Sequence, residues 1–280
     1  MIQDKLITHN NSISFELQTY INNLKNNLQK SEKLSFEIPK MLELLKQLSE
    51  FELGRFLLIN KGLNGFWISS IINNKAPAES LHPLENWVLN KSPAMISTRE
   101  RFHIFRRETQ KLLFDNMSLA SIPCGLMDDL LSLDYSVVKN ISLYGIDLDS
   151  ESLSLAERNI ANYNVNKQVK IKFLLKNAWN LELFDKFDVI TSNGLNVYEH
   201  DDNKTTELYN QFYLALKPGG SLITSFLVPP QGYTSKIDLA DLKLQRAIFG
   251  EIIKVNWQAF RSQELTQNQL EKVGFKDIQY

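Results

Sequence analysis

The feature that most constrains this chain is a change of hydrophobic period near residue 115. Before it, apolar residues recur every three or four positions, as on one face of a helix. After it, short β-rich runs alternate with helical segments. The runs cover residues 118–122, 141–146, 169–175, 187–191 and 221–227. Strand, helix, strand repetition at this spacing predicts a doubly wound, mostly parallel α/β sheet covered on both faces. The expected division is a helical region over 1–115 and a sheet domain over 116–280.

In the first region Ile13, Leu17, Ile21, Leu24 and Leu28 form one helical stripe. Met41, Leu42, Leu44, Leu45 and Leu48 form a second, which Pro39 can start because its missing N–H is not needed in a first turn. Gly62-Leu63-Asn64-Gly65 interrupts the pattern, and Pro77, Pro83 and Pro93 punctuate a stretch read as loop-rich. Ser97 and Glu100 stand at capping-box spacing and predict a helix start there, with Phe102, Phe105, Leu112 and Leu113 on its inner face. Arg99, Arg101, Arg106 and Arg107 on the same segment read as a solvated helix face. In the second region Asp149 or Ser150 caps a helix that buries Leu153, Ala156, Ile160 and Tyr163. Lys217-Pro218-Gly219-Gly220 reads as a tight turn leading into the fifth strand.

Ligands of open α/β sheets bind beyond the carboxyl ends of the strands, so the residues after each run are the candidates. They are Pro123-Cys124-Gly125-Leu126-Met127, Asp147-Leu148, Asn177-Ala178-Trp179 and Asn193-Gly194-Leu195-Asn196. Asp147 closes the second run about 20 positions after Gly125, the spacing at which an acidic side chain takes the two hydroxyls of a ribose. Gly125 lets backbone approach a ligand, Asn177 can read a base edge, and Trp179 offers an apolar face. A pyrophosphate fits poorly. Pro123 has no N–H to donate, and Asp128 and Asp129 would repel phosphate from the first helical turn. A cationic ligand without phosphate, such as S-adenosylmethionine, meets no such penalty.

Composition narrows the partners. With 31 basic and 32 acidic residues the formal charge is −1, so no global positive field exists to hold nucleic acid. A small-molecule or lipid-like acceptor is expected instead. Cys124 is the only cysteine, which excludes an internal disulfide and points to a reducing, cytoplasmic setting. It reads as a buried turn residue, not a nucleophile. His9, His82, His103 and His200 lack ligand spacing, so no metal is expected. The first residues, Met1-Ile2-Gln3-Asp4-Lys5, lack the apolar core of a signal peptide, and no stretch reaches the roughly 20 apolar residues of a membrane span. The sequence carries no signal for an oligomeric state.

From about residue 99 onward the chain resembles a class I S-adenosylmethionine-dependent methyltransferase. The matching pieces are Leu119-Ala120-Ser121-Ile122-Pro123-Cys124-Gly125, Leu143-Tyr144-Gly145-Ile146-Asp147 and Phe187-Asp188-Val189-Ile190-Thr191-Ser192-Asn193-Gly194. Ala215-Leu216-Lys217-Pro218-Gly219-Gly220 and Leu270-Glu271-Lys272-Val273-Gly274-Phe275 follow in the family's order. The resemblance implies a Rossmann-like sheet with a helical N-terminal extension and S-adenosylmethionine as cofactor. Its first-loop contacts would be Ser121, Pro123, Cys124, Gly125 and Met127, with the methionine portion above Gly125. Asp147 and Leu148 would hold the ribose, Asn177, Ala178 and Trp179 the adenine, and Asn193, Gly194 and Leu195 would flank the methyl group. The chain departs from the family in carrying Ser121 for the usual acid, Pro123 and Met127 for flanking glycines, and Asn177 for the acid at the adenine edge. The family also has a sixth strand after the Gly274-Phe275 position and a seventh inserted between the fifth and the sixth, and this terminal strand is not expected among the residues up to Tyr280.

Methyl transfer from a sulfonium is an in-line displacement governed by alignment, so a general base is needed only if the acceptor keeps its proton until late. Tyr198 and His200 are the candidate catalytic residues, one to position and one to accept a proton. Trp67, Trp87, His103, Phe105, Tyr198 and Glu199 are the candidate acceptor pocket. Two rival readings remain at this level: a binding module that kept the fold without catalysis, and an NAD-linked oxidoreductase.

Overall fold

The structure is a computed structural model that describes residues 11–166, 168–228 and 237–280, with the side chains of 11–16 left aside. The N-terminal residues Met1 to Lys5, where a leader would begin, and the Ile13 side chain therefore lie outside the described part. Among the described residues no helix is long and apolar enough to cross a membrane.

Five parallel strands form the sheet: β1 (Ser118–Ser121), β2 (Ser142–Asp147), β3 (Lys170–Leu175), β4 (Phe187–Ser192) and β5 (Leu216–Thr224). Their order is β3-β2-β1-β4-β5. The order reverses between β1 and β4, and at such a switch point neighbouring loops diverge and leave a crevice. Alternation builds two cores. Leu119, Leu143 and Val189 face one side with Leu130, Leu131, Leu153 and Ala156. Ala120, Ile146 and Ile190 face the other with Leu208, Tyr209, Phe212 and Leu270. The first core is closed by α7 (Asp128–Leu131) and α8 (Ser150–Asn159), the second by α9 (Asp202–Ala215) and α11 (Gln263–Val273). Asp149 caps α8, accepting from the backbone N–H groups of Glu151 and Ser152.

The remaining helices are α1 (Asn11–Gln29), α2 (Ile38–Leu48), α3 (Glu52–Asn60), α4 (Gly65–Ile72), α5 (Pro83–Asn90), α6 (Pro93–Lys111) and α10 (Leu239–Gln245), which continues as a π-helix over Arg246–Ile253. The chain divides into two compact units, one of Met1–Leu63, Asn74–Ser97 and Lys236–Asn256, the other of Asn64–Asn73, Thr98–Ser235 and Trp257–Tyr280. Thus α4 and most of α6 belong to the unit that contains the sheet.

Three local expectations change. The loop-rich stretch contains α5, because Pro83 occupies a first-turn position with His82 as its cap. Helix α6 starts at Pro93, not at Ser97, because Ser92 receives the Met95 N–H on its hydroxyl at 3.4 Å and supplies the cap. Ser97 and Glu100 are then exposed positions inside that helix. Lys217 to Gly220 is not a turn before β5 but a bulge within it. Leu216 pairs with Phe187 and Ser221 with Val189, so Asp188 alone faces the four residues between. Asp188 anchors the bulge by accepting from Lys217 Nζ at 2.7 Å, and Gly219 supplies the positive φ of 78°.

Candidate functional site

The loop after β1 is fixed by its own hydrogen bonds. The N–H groups of Ile122, Cys124 and Gly125 donate to Thr191 O, Ile146 O and Asp147 Oδ2, each at 2.9 Å. Asn159 Nδ2 holds the Leu126 carbonyl at 2.9 Å. Asp147 also accepts the Asp149 N–H at 3.0 Å, so its carboxylate ties the β2 end to both neighbouring loops. Burial raises the Asp147 carboxyl above the ordinary range, against the lowering pull of the Asp149 and Gly125 N–H groups. Burial likewise pushes the Cys124 thiol far up, helped by the charges of Asp147 and Asp129, which leaves it without nucleophilic character.

Gly125 has φ of +48°, and the start of α4 lies directly on it. A Cβ built on Gly65 would stand 2.6 Å from Gly125 Cα, a separation only paired glycines permit. Asn64 caps α4 by accepting the Trp67 N–H, so the polar break seen in the sequence is what lets two backbones touch.

Asp128 and Asp129 change their role. Both are buried, and Asp129 Oδ2 accepts from Ser121 Oγ at 2.9 Å and Thr191 Oγ1 at 2.6 Å. Burial raises its carboxyl, which the two hydroxyls oppose. Asp128 Oδ1 accepts from Asn73 Nδ2, Asn159 Nδ2 and Tyr163 Oη. Neither carboxylate is turned out to repel a phosphate. What disfavours a pyrophosphate is that the N–H groups of Ile122, Cys124, Gly125 and Met127 already have partners and that α7 is a single turn. The carboxylate that the sequence lacked at Ser121 is delivered to the Ser121 hydroxyl from eight residues further on.

At the other strand ends the candidates come together in part. Ala178 is buried, and Trp179 is half-buried with its Nε1 donating to Lys204 O at 2.9 Å. Asn177 is exposed, and its Oδ1 accepts the Trp179 N–H at 2.9 Å, leaving one lone pair for a base edge. Leu148 is two-thirds exposed at 67%. After β4, Gly194 has φ of +91°, and Asn193 Oδ1 is buried without a hydrogen-bond donor. Asn196 Nδ2 bridges Tyr209 Oη at 2.9 Å and Ser225 O at 2.7 Å.

The acceptor candidates are dispersed. Tyr198 is partly exposed, edge-on to Trp257 at 6.4 Å, and His200 is exposed on the same loop. Glu199 accepts the Asp201 N–H on its side chain. Trp67 packs edge-on to Phe66, His103 is exposed, and Phe105 is buried in the α6 inner face. Trp87 belongs to the other unit, where its Nε1 donates to Asp241 at 2.7 Å.

Two arginines escaped the sequence reading. Arg261 is buried and fully satisfied by Asp202 Oδ1, Asn196 O and Glu199 O, bracing the loop after β4. Arg101 is not on a solvated face: its Nε is enclosed and its guanidinium lies against Gly194. The signal was its spacing, four residues before Phe105 and beside Phe102 on the inward side of α6.

A model of a methyltransferase domain matches residues 121–220. A protein of Bordetella parapertussis described as a possible exported protein is 38% identical over 96% of this chain and 93% of its own, with a TM-score of 0.88. A putative O-methyltransferase of Nostoc punctiforme shares the fold at 14% identity and a TM-score of 0.50, over 84% of this chain and 66% of its own. No protein with a curated description matches.

Proposed function

We propose that this chain, which matches a methyltransferase domain over residues 121–220 and shares the fold of a putative O-methyltransferase, is a class I S-adenosylmethionine-dependent methyltransferase that transfers the methyl group of that cofactor to a small-molecule or lipid-like acceptor at the carboxyl ends of β1, β2 and β4. The observation that carries this reading is Asp147, placed at the end of β2 with its carboxylate bonded to the Gly125 loop. In one residue it links the ribose position to the loop expected beneath the methionine portion.

The residues fit the cofactor. Asp147 keeps lone pairs beyond the two N–H groups it accepts, Trp179 has a fixed indole, and Asn193 Oδ1 is a buried acceptor lacking a donor. Asp147 and Leu148 would hold the ribose, Asn177, Ala178 and Trp179 the adenine, and Ser121, Pro123, Cys124, Gly125 and Met127 the floor. Ser121 and Met127 act from below, Ser121 through Asp129. When bound, the cofactor supplies an activated methyl on a sulfonium. The chain's part is alignment: the positive φ of Gly194 and the Arg261 brace fix the segment Asn193, Gly194 and Leu195 beside the acceptor. Tyr198 is the positioning candidate, and His200 the candidate proton acceptor when the acceptor needs one.

From residues 1–115, acceptor selection falls to the parts joined to the sheet unit, α4 on Gly125 and α6 at Gly194. Cytoplasmic location is likewise proposed, on the strength of the single cysteine.

Calorimetric titration with S-adenosylhomocysteine and with NAD tests the function. Binding of the first alone is expected; binding of neither identifies a module that kept the fold only, which the Gly65 contact on Gly125 would then explain. Asp147→Ala removes two charge-assisted hydrogen bonds of the site and is expected to weaken S-adenosylhomocysteine by about 2–4 kcal/mol. An unchanged dissociation constant rejects the ribose role.

A further inference from the structure

The end of β4 holds a cation turned inward without a counter-ion. Positioned as if for a Gly194 Cβ, a probe atom stands 3.2, 3.4 and 3.5 Å from Nη2, Cζ and Nη1 of Arg101. Near-equal distances mean that the guanidinium lays its flat face on the glycine and keeps its edge of N–H donors for something else. On that edge Nε is enclosed and has no acceptor. Among the described residues Arg101 makes no ion pair, and the one group that opposes the effect of burial on it is the Tyr198 phenol, ordinarily neutral. Arg261 shows what this fold does with a structural arginine: its Nε and both terminal nitrogens all have oxygen partners within 3.1 Å. Burial lowers the Arg101 pKa, the expected sign for a cation removed from water without compensation.

A half-buried arginine whose Nε is closed off from water without an acceptor is costly, and an apolar residue there would make helix α6 more stable. Resting on the methyltransferase reading, we propose that the Arg101 guanidinium receives a carboxylate of the methyl acceptor, so that the acceptors are small carboxylic acids. A guanidinium takes a carboxylate through two parallel N–H···O bonds, which fixes orientation as well as affinity. The position supports the acceptor as the source over the cofactor's own carboxylate. Arg101 lies on Gly194, the segment assigned beside the methyl group, while the methionine portion belongs over Gly125. A guanidinium near a sulfonium is repelled unless an anion stands by, and an acceptor carboxylate supplies one.

The test uses full-length protein saturated with S-adenosylhomocysteine and titrated with benzoate or benzamide, in wild type, Arg101→Lys and Arg101→Met. Benzoate is expected to bind at least about tenfold more tightly than benzamide, with Arg101→Met losing that preference and Arg101→Lys keeping part of it. S-adenosylhomocysteine affinity should stay within about threefold in Arg101→Met, and its thermal midpoint should rise. Equal binding of the two probes, or benzoate binding indifferent to residue 101, overturns the proposal. A tenfold or greater loss of S-adenosylhomocysteine in Arg101→Met reassigns the guanidinium to the cofactor and overturns it too, and a lowered midpoint makes Arg101 a structural brace. If wild type does not bind S-adenosylhomocysteine at all, the methyltransferase reading falls, and this proposal with it.

Discussion

The two sides of the switch point differ in how completely the protein satisfies itself. Around β1 and β2 each acidic side chain meets protein donors: Asp128, Asp129, Asp147 and Asp149 together accept from Asn73, Asn159, Tyr163, Ser121, Thr191 and several backbone N–H groups. Around β4 and β5 polar atoms are left over. Arg101 Nε, Asn193 Oδ1, Asn196 Oδ1 and Ser225 Oγ are all buried without partners. Buried groups left unmatched cost stability, so a fold keeps them where a ligand completes the set. On the proposed function, the first side is a prebuilt floor and the second the reading face.

If that contrast is right, substitutions on the first side cost stability and those on the second cost function. The largest effect is expected at Asp129→Ala, which strands the Ser121 and Thr191 hydroxyls and empties the space beneath the loop. About 3–4 kcal/mol of unfolding free energy should be lost in urea titration. The same carboxyl has a pH signature. Its folded value lies above the ordinary 3.8, so in that window the native state binds more protons and stability falls as pH rises. Asp129→Asn should flatten that part of the stability profile, and a slope that persists assigns it elsewhere.

Gly65→Ala follows at about 1–3 kcal/mol, because a methyl group 2.6 Å from Gly125 Cα must push two backbones apart. If Gly65→Ala proves neutral in chemical denaturation, α4 is not locked onto the first loop. The smallest effect belongs to the second side. Asn193→Ala should change stability by no more than about 0.5 kcal/mol, since the lost oxygen had no partner, while weakening S-adenosylhomocysteine. A large stability loss there would erase the distinction between floor and reading face.

Much of this was legible in the sequence because it is local. The strand runs, the Asp149 cap and Asp147 at the end of β2 each follow from period, spacing and turn chemistry over a few residues. Misreadings arose wherever a partner lay elsewhere in the chain. Ser97 and Glu100 matched a cap pattern, but Pro93 and Ser92 outcompeted them. The Lys217 to Gly220 turn became a bulge because β4 holds both of its flanks in register. Asp128 and Asp129 looked like exposed repulsive charge, yet their partners come from Ser121, Thr191, Asn159 and Tyr163 across the sheet and its helices.

By itself, then, the sequence determined the class of fold and the succession of its five strands, and it pointed to the cofactor, since these rest on local pattern and on motifs in order. Only the tertiary structure decided that Ser121 is supplied with the carboxylate of Asp129, that Gly65 closes on Gly125, and that Arg101 turns inward against Gly194. Each depends on atoms distant in sequence and close in space, where burial and hydrogen-bond matching decide whether a charge is a scaffold, a solvated ornament of a helix, or a group held ready for a ligand.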